Sequence, residues 1–214
     1  MKIQYFATTN DHKLQEVNHI LGYELEKIHL ELVEPQDMDL EVIARAKAEE
    51  AFQKIGKPVL VEDTGWYFDV WNGLPGPFAK FFMSAVGCKG ILKMLGTESK
   101  RQCVAKTVVA YHDGTMAHVF SGEIKGTVAV EERGTSEFGF DRIFIPDGSN
   151  KTFGEMTLEE KKKFMQPIET LLNDSQILKK IRESDTQMTH LITNFSLELR
   201  AKENHKLSDR KSVV

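Results

Sequence analysis

Three short stretches combine residue types that could handle a phosphorylated ligand. The first, Thr8-Thr9-Asn10-Asp11-His12-Lys13, stands between a strand-like run and a helix-periodic one. The unpaired N–H groups and partial positive charge of a helix N-terminus suit a phosphate, and two hydroxyls with a lysine one turn further in would complete the cradle. The same residues also read as an ordinary helix cap. The second stretch, Glu62-Asp63-Thr64-Gly65, directly follows an apolar strand. Ligands of α/β sheets collect at the carboxyl ends of strands, so two adjacent carboxylates there could hold a hard divalent cation, and one could orient a water. A solvated acidic turn is the alternative. In the third, Ser136-Glu137-Phe138-Gly139-Phe140-Asp141, aromatic faces could stack on a base and an aspartate could bond its edge or its sugar; core packing is the alternative. The basic run Lys161-Lys162-Lys163 could add cations or form a solvated face.

The elements that would position these groups alternate in type. Residues 2–7 read as a buried strand, and Leu14, Val17, Ile20 and Leu21 then recur at helical spacing up to a stop at Gly22. Residues 28–32 alternate as a second strand. Val42, Ile43, Ala46, Phe52 and Ile55 mark a second helix closed by Gly56, and residues 58–61 form a short strand ending at the acidic pair. Strands at 102–111 and 116–124 flank His112-Asp113-Gly114-Thr115, a hairpin signal. Further strands are expected at 126–130 and 140–145, then a helix from about Thr157 that Pro167 must bend, restart or end. The strand–helix alternation predicts an α/β fold with a partly parallel sheet. Residues 1–182 form the expected domain, and the polar residues 183–214 an extension, partly helical or disordered.

A chain of 214 residues with 41% hydrophobic and 28% charged side chains is an ordinary globular composition. A formal charge of -4 argues against a dedicated nucleic-acid binder, though a few placed lysines can still hold phosphates. Two cysteines, Cys88 and Cys103, make neither a metal-ligand spacing nor a disulfide framework. With no signal-peptide h-region and no apolar run of membrane-spanning length, the expectation is a soluble cytoplasmic protein without a membrane or nucleic-acid partner.

Taken in order, ATTNDHKLQEV, VEDTGWYFDVWNGLPGPF, FGFDRIF and KTFGEMTLEEKKKF resemble the inosine triphosphate pyrophosphatase family, also called Ham1-like, over roughly residues 1 to 175. The resemblance implies an elongated α/β fold, a mixed sheet flanked by helices with two lobes around a deep nucleotide-binding cleft. It also implies magnesium as cofactor, a homodimer, and cleavage of triphosphates such as ITP, dITP and XTP to a monophosphate and pyrophosphate. Carried over residue by residue, Thr8, Thr9, Asn10 and Lys13 match the phosphate-binding turn. Asp63 matches the proton acceptor and metal-associated carboxylate, with Glu62 beside it and Glu41 as the more distant metal ligand. Thr64 falls at a substrate-contacting position, Phe138, Gly139, Phe140 and Asp141 match the nucleoside-binding segment, and Lys161 matches the last helix's lysine. The loop Leu74-Pro75-Gly76-Pro77-Phe78 matches one that shapes the cleft.

Two departures bear on the base. The family's Ser-His-Arg triplet, whose His and Arg recognise the purine, is replaced here by Met165-Gln166-Pro167, and Arg142 stands where proline is common. Phosphate-side groups and metal-side carboxylates are largely intact, so triphosphate cleavage is the expectation, with the 6-oxo purine preference open. The alternatives are the same chemistry on another (d)NTP and a nucleotide-binding protein without catalysis.

Overall fold

The structure, a computed structural model, describes residues 4–136 and 139–164, all within one unit, Ile3–Asn173. Phe138, the 165–167 triplet and the expected boundary near residue 182 lie outside the described residues. Among the described residues no helix is long and apolar enough to cross a membrane.

The chain runs β1 (Tyr5–Ala7), α1 (Asp11–Leu21), β2 (Glu26–Ile28), α2 (Leu40–Ile55), β3 (Val59–Phe68), β4 (Pro75–Gly76), α3 (Ala79–Leu95), β5 (Gln102–His112), β6 (Ala117–Val128), β7 (Phe144–Pro146) and α4 (Leu158–Lys162). One mixed sheet has the order β2-β1-β3-β5-β6-β7, with β4 paired to β3. β1 is parallel to both β2 and β3, and the remaining pairings are antiparallel. This is the expected α/β class with a mixed sheet.

Local chemistry sets the helix ends. The Asn10 side chain accepts from the His12 and Lys13 N–H groups at the start of α1, and Gly22 closes it at φ 70, a left-handed conformation that glycine adopts at little cost. Asp39 caps α2, which Gly56 ends at φ 64. On α2 the buried stripe is Leu40, Ile43, Ala44, Ala48 and Ala51; its small side chains bring the helix close to Val59, Val61, Val108 and Ala110 on the sheet. The other face carries Trp66, Phe68, Phe140, Ile143, Phe144 and Phe153, packed with Ile91 and Leu95 of α3. Trp66 stacks on Phe140 at 4.1 Å.

Several boundaries differ from those read in the sequence. β3 does not end at the acidic pair: it runs ten residues, straight through Glu62, Asp63, Thr64 and Gly65. Polarity suggested a stop, but β5 pairs with every residue from Val59 to Phe68, and that ladder holds the strand extended whatever its side chains. β2 ends at Ile28 because its partner β1 ends at Ala7; Leu30 and Leu32 instead pack against the α2 core. The strand expected at 126–130 is the end of β6. β7 begins only at Phe144, since residues 139–142 turn. Helix α3 has no counterpart in the sequence reading, and Gly87, at φ 61, interrupts its helical geometry.

The turn carrying Phe140 and Asp141 is clamped by glycine. A Cβ at Gly134 (φ 87) would lie 2.0 Å from the Gly154 carbonyl, whereas one at Gly148 (φ 85) would meet nothing within 4 Å. Gly134→Ala is therefore expected to lose roughly 2–4 kcal/mol of stability in chemical denaturation, and Gly148→Ala only about 1 kcal/mol. Equal losses would show that backbone strain alone, not the close approach, governs both positions.

Candidate active site

A cleft of about 1100 Å³ is lined by the turn after β1, the start of α1, the middle of β3, the start of α3, residues 139–141 and Lys161. Its position follows from the pairing of β3. One edge of that strand is bonded along its whole length by β5. The other is bonded by β1 only at Val59 and Leu60 and by β4 only at Trp66 and Tyr67. Among the described residues no strand covers residues 61–65 on that edge, so side chains from both faces of the sheet reach one opening.

Because successive strand residues point to opposite faces, the two carboxylates have separate surroundings. On the α1 face, Glu62 places Oε2 2.7 Å from Lys13 Nζ, a charge contact that lacks hydrogen-bond direction: this oxygen is buried and makes no hydrogen bond. Its Oε1 accepts from the Thr64 hydroxyl. On the α2 face, Asp63 Oδ2 accepts from Lys47 Nζ at 3.0 Å, and Oδ1 accepts from the Thr64 N–H at 3.0 Å. Lys47 also donates to Glu34 Oε1 at 3.0 Å. Burial draws the Lys47 pKa down, but the neighbouring Asp63 and Glu34 more than offset this, holding its ammonium above the usual lysine range.

The turn after β1 is ordered by its own side chains. Thr8 Oγ1 accepts from Asn10 N at 3.1 Å, and Asn10 Oδ1 caps α1, so the capping reading holds while Thr8, Thr9, Asn10 and Lys13 all face the cleft. Opposite, Asp141 and Lys161 form an ion pair, each less than a tenth exposed, and Ser136 Oγ donates to Asp141 Oδ2 at 2.7 Å. Gly139 and Phe140 also line the wall.

The structure thus brings together Thr8, Thr9, Asn10, Lys13, Glu62, Asp63, Thr64, Gly139, Phe140, Asp141 and Lys161. It does not bring Glu41 there. Glu41 lies in the first turn of α2, where its carboxylate accepts from Ser121 Oγ at 2.8 Å with Lys106 Nζ at 3.5 Å. Glu34 stands at the cleft instead, beside Lys47 and Asp63.

Lys47, Glu34, Lys80 and Glu16 are among the lining residues that escaped the sequence reading. Lys47 had a signal: it falls four residues after Ile43, inside the apolar stripe of α2, where an unpaired lysine would be costly. Glu34 sits in an aperiodic loop and had none. Lys80, exposed at the start of α3, belongs to a helix that was not foreseen. Glu16 lies one turn beyond Lys13 on α1; burial, with Glu62 adding like-charge repulsion, pushes its carboxyl up to about 7.

In all, seven carboxyl side chains and four lysines line the cleft. A polyphosphate meeting that balance needs positive charge beyond the lysines. A divalent cation fits the donors: they are all hard oxygens, and one of them, Glu62 Oε2, is buried without a hydrogen bond. Among the described residues no three His, Cys, Asp or Glu side chains gather closely enough to hold a metal ion by themselves. That pattern matches magnesium, which typically takes one or two carboxylates and completes its shell with water and substrate phosphates.

Comparison with known proteins identifies the family. A family model described as the Ham1 family matches residues 4–167. The dITP/XTP pyrophosphatase of Hyperthermus butylicus is 37% identical over 166 residues, 76% of this chain and 87% of that protein. The inosine triphosphate pyrophosphatase of Kluyveromyces lactis is 42% identical over 171 residues, 75% of this chain and 88% of that protein. The solved structure of a HAM1 protein from Coxiella burnetii superposes with a TM-score of 0.71 at 24% identity, covering 84% of this chain and all of that one; this likeness bears on the fold.

Glu16 gives the site a pH signature. Between about 4.5 and 7 the folded chain keeps a proton that the unfolded chain releases, so folding stability falls as pH rises through that window. Glu16→Gln removes the penalty. At pH 8 it is expected to be more stable than the parent by on the order of 1–2 kcal/mol, with the gain vanishing below about pH 4.5. Thermal melts across this range check it; a pH-independent difference would contradict the buried carboxyl.

Proposed function

The chain belongs to the Ham1 family, and from that membership we propose that it hydrolyses a nucleoside triphosphate between the α- and β-phosphates, giving a monophosphate and pyrophosphate. Non-standard purine nucleotides such as ITP, dITP and XTP are the proposed substrates. One observation carries the reading: the unpaired edge of β3 presents Glu62 and Asp63, from opposite faces, to a cleft whose other wall is a capped helix N-terminus with its lysine.

In this reading the start of α1, with Thr8, Thr9 and Asn10, receives the phosphates. Lys13, Lys80 and Lys161 supply positive charge, and Lys13 and Lys161 exchange a carboxylate partner for phosphate oxygen as the ligand arrives. Asp63 orients a water and takes its proton during in-line attack on the α-phosphorus, while Lys47 fixes the Asp63 carboxylate through one oxygen and leaves its rotation small. Phe140, Gly139 and Asp141 seat the nucleoside, joined by Phe138 on the strength of the resemblance. One or two of the carboxylates of Glu62, Asp63 and Glu34 would hold magnesium, which when bound would neutralise the charge developing on the phosphates. Because pyrophosphate leaves with its charge concentrated, lysines already seated in the cleft lower the barrier without further rearrangement.

The homodimer is likewise proposed from the resemblance, and the cytoplasmic location from the two cysteines, Cys88 and Cys103, which form no disulfide framework. The base preference is the open variable, since a site discriminates strongly only through the hydrogen bonds it makes, and the altered triplet stands at 165–167.

Pyrophosphate release from ITP, XTP and the common NTPs and dNTPs, with magnesium and with chelator, tests the function. Metal-dependent release from ITP or XTP is expected; release confined to another nucleotide would overturn the purine assignment. Asp63→Asn is expected to lower kcat by about 10²–10⁴-fold with the fold retained, and near-parental turnover would remove Asp63 from its role.

A further inference from the structure

We propose that Thr107 is a positioning residue for the Glu62 carboxylate and acts on it through the Thr64 hydroxyl; this rests on the reading of the cleft given above. Thr107 on β5 lies directly across from Thr64 on β3 in the antiparallel register, and both line the cleft. Their hydroxyl oxygens are 3.2 Å apart, and Thr64 Oγ1 also contacts Glu62 Oε1.

The direction of these bonds follows from proton counting. A threonine hydroxyl has one proton to donate, and a carboxylate can only accept. Glu62 has the Lys13 ammonium at its other oxygen, so the Thr64 proton goes to Oε1. The remaining contact then requires the Thr107 proton to point at Thr64 Oγ1. The reverse arrangement would turn oxygen lone pairs of Thr64 toward those of Glu62 at close contact. The chain of donors is therefore Thr107 to Thr64 to Glu62, and each bond polarises the next.

The consequence lies in what else restrains Glu62. Among the described residues its Oε2 finds no hydrogen-bond partner, so the directional hold they place on the carboxylate is the one at Oε1. Thr64 in turn touches both acids: its hydroxyl donates to Glu62 and its N–H to Asp63 Oδ1. Thr107 fixes the rotor of that shared donor from the neighbouring strand. Such a residue need not meet the nucleotide, and its effect disappears when the Thr64 hydroxyl is removed.

A double-mutant cycle tests this with Thr107→Val, Thr107→Ser, Thr64→Val and the Thr64→Val/Thr107→Val pair, each checked by thermal melting. Thr107→Val keeps the side-chain shape and deletes the donor. Its kcat for pyrophosphate release from ITP is expected to fall about five- to tenfold, the worth of one hydrogen bond, with KM unchanged. Thr107→Ser is expected to stay near the parent value, and Thr107→Val is expected to add nothing in the Thr64→Val background. Additive losses, a change confined to KM, or failure of serine to rescue would overturn the proposal and mark Thr107 as a direct contact or a packing residue. If the parent releases pyrophosphate from no nucleotide, the function reading fails. The thermal-melting cycle of the two single valine variants and their pair then carries the test: coupled losses at Thr64 and Thr107 support the donor chain, and additive losses reject it.

Discussion

The site depends on an interruption in backbone pairing. Extended backbone buried in a sheet must find partners for its N–H and C=O groups, and β3 satisfies this on one edge through ten consecutive pairings with β5. That ladder holds β3 extended while, among the described residues, no strand pairs its other edge between Leu60 and Trp66. A strand paired on both edges would send Glu62 and Asp63 to opposite sides of a closed wall. With the edge open, alternation becomes an advantage: one carboxylate is held by Lys13 from α1, the other by Lys47 from α2, and both reach the same opening without facing each other.

Charge is distributed by the same logic. Lys13, Lys47 and Lys161 each have a carboxylate within ion-pair distance, so the protein is not left with a cluster of like charges when it folds. Buried pairs of this kind add little net stability, because desolvation takes back most of the Coulomb gain. They do hold donors and acceptors in fixed places before a ligand arrives, which is where preorganisation lowers a barrier. Glu16 marks the limit of the arrangement: a carboxyl in the same cleft with no lysine of its own retains its proton toward neutrality.

Much of this was legible in the sequence, for reasons that differ by element. The α1 cap and stop were readable because Asn10 and Gly22 act locally, and the β5–β6 hairpin because Asp113 and Gly114 set its turn. The course of β3 was not, since an acidic pair reads as a strand end and only its long-range pairing with β5 overrides that. The same misreading hid the fact that Glu62 and Asp63 look opposite ways. Lys13, Glu62, Asp63, Asp141 and Lys161 were identified by motif and do converge, whereas Glu34 and Lys80 depend on chain placement that no periodicity encodes. Lys47 could have been found, as a charge inside the α2 apolar stripe. Glu41 was carried over by resemblance as the more distant metal ligand, and the structure engages it with Ser121 and Lys106 instead, outside the cleft lining.

The central claim is that the water oriented at Asp63 attacks the α-phosphorus. Hydrolysis of the preferred triphosphate in ¹⁸O-labelled water, with products separated by mass spectrometry, tests it directly. The expected result is one labelled oxygen in the nucleoside monophosphate and none in pyrophosphate. Label in pyrophosphate, or release of orthophosphate in its place, would put the attack at a different phosphorus and contradict the account.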